Sequence, residues 1–170
     1  CYVAEPMAIA PRDVLALFPA VQRHTYLNAA ASSPLALPVC QAIEAHLKDT
    51  LEHGDLSFGR WLELKESLRA RLARFLGTEP ACLAFLPSTS IGFSVVGSLL
   101  RHRGISEVLT LEGEFPSTTL PLLQRGLTLK VVKRRPDGSY RPEDLEAAIT
   151  PLTGAIALSA VQYSSGYRVD

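Results

Sequence analysis

The sequence predicts an α/β fold, a mostly parallel sheet flanked by helices, and two observations predict it. From residue 81 onward, short apolar runs of strand length alternate with segments of helical composition, the pattern of successive βαβ connections. Before residue 81 the apolar residues recur at about every fourth position, the period of helices that bury one face. At 170 residues the chain is long enough for one domain of ordinary size with a real hydrophobic core.

The elements follow in order. Residues 1 to 6, CYVAEP, precede the single Met7; they are expected to be a fusion remnant or the end of a processed leader and receive no structural part. A short helix is expected at 11 to 18. HTYLNAAASSPLALP, residues 24 to 38, is a loop of small residues and prolines. Leu35, Val39, Ile43, Leu47 and Leu51 then mark an amphipathic helix with Pro38 near its start, where a missing N–H is harmless. HGDLSFG interrupts it, and Trp61, Leu64, Leu68, Leu72, Phe75 and Leu76 carry a second helix ended by Gly77. ACLAFL, 81 to 86, is expected to be a strand covered on both faces, with Cys82 in its core. A helix from the Ser88 region to Gly104, the strand EVLTL, the helix PSTTLPLLQRG, the strand LTLKVVK, the helix RPEDLEAAI and the strand GAIALSAV complete the alternation. Residues 1–30 are expected to form an arm and loop, and residues 31–170 part of one α/β domain.

Composition excludes several classes. Lys plus Arg equals Asp plus Glu at 17 each, so there is no electrostatic case for nucleic acid or an anionic membrane. The run Lys130, Lys133, Arg134, Arg135 reads as a solvated strand end. Cys1, Cys40 and Cys82 are far apart and form no CxxC pair, which argues against a disulfide framework and a zinc site and fits a reducing, cytoplasmic setting. No apolar run approaches the roughly 20 residues that span a bilayer.

In open α/β sheets ligands sit at the carboxyl ends of strands. Pro87-Ser88-Thr89-Ser90 opens a helix there; it serves either as an ordinary N-cap or as a seat for an anion on free N–H groups and hydroxyls. LPSTSIG lacks the glycine spacing and the Lys-Ser/Thr of a P-loop, and no GxGxxG follows a strand, so a bound anion would be a single phosphate. In EGEFPS, Phe115 stands at a strand end before Pro116, either as core or as an aromatic face that covers a flat heterocycle. Gln162, Tyr163, Ser164 and Ser165 then follow an apolar strand and lead to Gly166, which makes either a turn or a set of donors aimed at a ligand.

With YLNAAASSPL at 26 to 35, these stretches resemble the class V aminotransferase and cysteine desulfurase family of pyridoxal phosphate enzymes. YLNAAASSPL is similar to that family's YLDNAATTPLP, AFLPSTSIGFSVV to FTRGTTEAIN, EGEFPSTTLPLL to EHHANIVPW, and LSAVQYSSGYRV to VSHVSNVLGTINPV. The resemblance runs from about residue 25 to the end. It implies a fold-type-I large domain, incomplete in this chain, in a homodimeric enzyme acting on an amino acid. It also implies that Ser88, Thr89 and Ser90 hold the cofactor phosphate, that Phe115 stacks on the pyridine ring, and that Gln162 or Tyr163 reaches the ring's phenolic oxygen. Asn28 and Ala29 would lie near the substrate. Desulfurases have a proton-moving His where Phe115 stands, which shifts the expectation to a transaminase, an epimerase or a C–S or C–C lyase.

The family's chemistry needs a Schiff-base Lys and a carboxylate on the pyridine nitrogen. Lys48, Lys65, Lys130 and Lys133 match no such position, and Asp170 follows Gly166 too closely, so both groups are expected beyond residue 170 and the isolated chain is expected to be inactive. Two alternatives carry no catalysis by this cofactor: a regulatory or phosphate-ligand-binding domain that keeps the fold, and an unrelated doubly wound domain for another phosphorylated ligand.

Overall fold

The computed structural model describes residues 11–169; residues 1 to 6 with Cys1, and also Met7 and Asp170, lie outside the described residues. The chain divides into two compact units after Ala84.

The first unit is helical. Helices α1 (Pro11–Ala16) and α2 (Pro19–Arg23) replace the single helix expected at 11 to 18. The break falls where expected for the residue before a proline, since Pro19 disfavours a helical Phe18. Helix α3 (Leu37–His53) has Pro38 in its first turn and ends at Gly54, and α4 (Phe58–Leu76) ends at Gly77, whose φ of 68° is the left-handed conformation of a helix C-cap. Asp49 pins the junction of α3 and α4: its carboxylate accepts from Ser57 Oγ at 3.1 Å, Arg60 Nη2 at 2.6 Å and Trp61 Nε1 at 3.2 Å. The ring of His46 meets Trp61 edge-on, with centroids 4.9 Å apart.

ACLAFL is not a strand among the described residues. Pro80–Cys82 forms a single 3-10 turn, and Leu83 is extended (φ −114°, ψ 130°) without a strand partner. A strand needs a neighbour for its N–H and C=O groups, and the apolar run alone does not supply one. Cys82, expected in a strand core, is exposed.

The second unit carries α5 (Thr89–His102), β1 (Glu107–Leu111), α6 (Pro116–Gln124), β2 (Thr128–Val132), α7 (Pro142–Ala148) and β3 (Thr153–Ile156). The three strands form one parallel sheet in the order β2-β1-β3. β1 is central, and its alternating side chains build a core on each face. Leu109 and Leu111 pack with Val132 and Tyr140 on one side, and Val108 packs with Leu122 and Leu127 on the other. Between β1 and β3 the register slips at Glu107/Val108, where Gly154 is the extra residue. A Cβ at Gly154 would stand 2.5 Å from Ile105 Cγ2, so the bulge needs a residue without one.

β3 ends at Ile156, earlier than the expected strand GAIALSAV, because the chain folds back on itself. The Val169 N–H donates to the Ala160 carbonyl at 2.9 Å, and the Gln162 N–H to the Tyr167 carbonyl at 2.8 Å. Residues 160–169 thus form a short hairpin whose turn contains Gly166 at φ 70°. Tyr167 anchors it by donating to the Tyr140 carbonyl at 2.7 Å.

Candidate functional site

The carboxyl edge of the sheet follows from the connections. α5 leads into β1 and α6 leaves it, so both helices run opposite to the strands and present their N-terminal ends at that edge. Five of the six expected cofactor residues of the second unit stand on segments that begin or end there with exposed side chains; Gln162 is the buried one.

Ser88 is the N-cap of α5. Its backbone is extended (φ −161°, ψ 162°), and its hydroxyl accepts the Ile91 N–H at 3.3 Å, so the capping reading of this stretch is realised. Capping satisfies one N–H of the first turn; the other first-turn N–H groups have no acceptor within the helix. Thr89 and Ser90 sit in that turn with exposed side chains.

Phe115 is the N-cap residue of α6, and Pro116 begins that helix. The ring is 47% exposed, which removes it from the core. Its one ring contact among the described residues is Tyr163, edge-on at 5.0 Å between centroids and 85° between planes. Tyr163 is itself exposed, so the two rings form an aromatic corner between the loop after β1 and the hairpin after β3.

Gln162 is the opposite case, only 2% exposed. Its Nε2 donates to Glu114 Oε1 at 2.6 Å. The same carboxylate accepts the Ser159 N–H at 2.7 Å on Oε1 and the Ser159 hydroxyl at 2.7 Å on Oε2. Glu114 and Ser159 were not among the residues expected from the sequence. A glutamate in a loop ordinarily faces water, and its partners here are 45 and 48 positions away.

Glu112, two residues earlier, faces the other way. Lys133 donates to its Oε1 at 2.8 Å and the Arg134 N–H to its Oε2 at 3.0 Å, and these two bonds hold its carboxyl below the usual range. Two side chains of the basic run thus pair with acids, Lys133 with Glu112 and Arg135 with Asp144, the latter in a two-point pair at 2.7 Å on each oxygen. Tyr140 is buried beneath, with its hydroxyl on the Glu112 carbonyl, and burial pushes its phenol up.

Asn28 and Ala29 lie in the first unit, on the loop between α2 and α3. There the Asn28 carbonyl accepts the N–H groups of Ala31 and Ser32, both at 3.2 Å, in a tight turn. Both side chains are exposed. Among the described residues no group of three or more His, Cys, Asp or Glu is placed to hold a metal ion, and no helix is long and apolar enough to cross a membrane.

The sequence model of the aminotransferase class-V family matches residues 25–170. The chain belongs to this family. Among curated relatives of the class-V chain is the uncharacterised aminotransferase YcbU of Bacillus subtilis, 30% identical over 162 residues, which cover 94% of this chain and 43% of that protein. A probable cysteine desulfurase of Methanothermobacter thermautotrophicus is 27% identical over 165 residues, 93% of this chain and 41% of that protein. The kynureninase of Pseudomonas fluorescens is 30% identical over 122 residues, 65% of this chain and 28% of the enzyme. The class-V chain thus spans less than half the length of these relatives, and its three-stranded parallel sheet with flanking helices is an incomplete α/β domain of this family.

Proposed function

We propose that the full-length protein is a pyridoxal phosphate enzyme acting on an amino acid, as a transaminase, an epimerase or a lyase. The observation that carries this reading is the grouping at the carboxyl edge of the sheet. An exposed aromatic ring, a hydroxyl-rich helix start and a buried amide stand there in a chain of the class-V family.

These residues fit the cofactor by their chemistry. The first turn of α5 offers N–H groups, the positive end of the helix dipole and the hydroxyls of Ser88, Thr89 and Ser90 to a phosphate. Phe115 offers a ring face to a flat heterocycle, and Tyr163 supports that ring from the side. Gln162 gives one N–H to Glu114 and has a second N–H for the phenolic oxygen of the cofactor. Gln162 rather than Tyr163 takes that role because its amide is held in one orientation. When bound, the cofactor supplies an electron sink for the bond broken at the substrate's Cα. Phe115 orients and shields but moves no proton, which disfavours a desulfurase whose His does both. Asn28 and Ala29 are assigned to the substrate loop, and the enzyme is assigned as a cytoplasmic homodimer, both on the resemblance.

The test uses purified full-length protein given pyridoxal phosphate. The expected result is a yellow protein whose visible band borohydride abolishes, and which reacts with one class of amino acid in a panel. Protein that stays colourless and takes up no cofactor would overturn the proposal.

A further inference from the structure

Glu114 is a buried carboxylate, 9% exposed, without a cation within ion-pair distance among the described residues. Burying a carboxylate is costly, and here three neutral donors offset that cost: the Ser159 N–H, the Ser159 hydroxyl and the Gln162 amide. The arrangement has a directional consequence. An ionised carboxylate only accepts, so it takes the NH₂ end of Gln162 and turns the carbonyl end away. It also ties the loop after β1 to the segment after β3, and each carries one ring of the Phe115–Tyr163 pair.

We propose that Glu114 is the positioning residue of this site: it fixes the amide of Gln162 and the angle of Phe115 against Tyr163 before any ligand arrives. Glu114 does not touch the ligand; it acts through Gln162 and through its covalent neighbour Phe115. The proposal rests on the pyridoxal phosphate reading for the identity of the ligand, whereas the lock itself stands in the ligand-free protein.

The geometry separates the variants. In Glu114→Gln, the new amide oxygen at the Oε1 position keeps the Ser159 N–H and Gln162 bonds, and its NH₂ donates to the Ser159 hydroxyl, which rotates to accept. Glu114→Ala removes all three bonds. Ser159→Ala removes one and leaves the Gln162 bond intact.

The experiment measures full-length wild type and these three variants by two readouts: pyridoxal phosphate affinity with the absorption maximum of the bound cofactor, and the side-chain amide signals of Gln162 in ¹⁵N-glutamine-labelled, cofactor-free protein. Glu114→Ala is expected to bind about tenfold more weakly, the factor that one lost buried hydrogen bond carries. It is also expected to shift the absorption maximum and to lose the slowly exchanging Gln162 amide proton. Glu114→Gln should restore all three properties, and Ser159→Ala should leave the absorption maximum in place. If Glu114→Ala matches wild type in affinity, spectrum and amide signal, the proposal falls. It falls equally if Glu114→Gln fails as Glu114→Ala does, or if Ser159→Ala shifts the spectrum as far. If wild type takes up no pyridoxal phosphate, the cofactor reading fails, and the Gln162 amide signals still decide for or against the lock.

Discussion

Phe115→Ala distinguishes a ring that waits for a ligand from a ring that fills a core, because the two roles give opposite ratios of stability loss to affinity loss. Phe115 is 47% exposed, so about half of the roughly 1.5–3 kcal/mol for full burial of such a side chain is at stake, about 1 kcal/mol. The edge contact with Tyr163 adds about 1 kcal/mol. The truncated site opens to water, so no closed cavity is left and the cavity penalty is absent. The expected cost is about 2 kcal/mol, below the roughly 3–5 kcal/mol of a core Phe→Ala change. Stacking on a heterocycle is worth about 1 kcal/mol beyond area burial, so loss of the stack should raise the dissociation constant of pyridoxal phosphate about fivefold, and the lost burial of ring area raises it further. Urea unfolding of cofactor-free protein gives the first quantity, and absorption titration of the folded variant gives the second. A loss of 3 kcal/mol or more, on the core scale, together with unchanged affinity would refute the stacking role.

Three further outcomes follow from the same geometry. Phe115→His keeps a flat ring and should retain the cofactor within about threefold, since the aromatic face is preserved; affinity as weak as that of Phe115→Ala would show that the phenyl group acts by bulk. Gly154→Ala should destabilise by about 1–3 kcal/mol, because the new Cβ would stand 2.5 Å from Ile105 Cγ2 and 3.1 Å from its Cβ. Ile105→Ala in the same chain should recover part of that loss in urea unfolding, and additive costs would dismiss the clash. Asp144, held below its ordinary range first by the hydrogen bonds of Arg135, has a folded pKa depressed below its unfolded one. Its contribution to stability is present above the unfolded value of about 3.9 and is lost as pH falls through the lower folded value. Thermal midpoints of wild type and Asp144→Asn should therefore differ at neutral pH and converge in acid; a constant gap would refute the linkage.

Much of this architecture is written in periodicities, and the exceptions share one cause. β1, β2 and the helix α6 between them were legible because each meets its partners within a few tens of residues, and apolar period and glycine stops are local properties. ACLAFL has the composition of a strand, but whether its backbone pairs depends on a neighbour that no local window contains. The segment after β3 left a turn and a set of donors aimed at a ligand as alternatives; the structure shows the turn, in a hairpin that contains Gly166, and the Gln162 side chain turned inward to Glu114. Phe115 shows the limit from the other side, since the local stretch admitted a core ring and only the fold exposes it. Glu114 is the least legible of all, because an acid beside a glycine in a loop reads as solvated. Its burial is created by the strand order: with β1 next to β3, the residue after one strand meets Ser159 and Gln162 after the other. A carboxylate buried by topology costs stability unless every partner is in place, and so the geometry of this site depends on the sheet having assembled in that order.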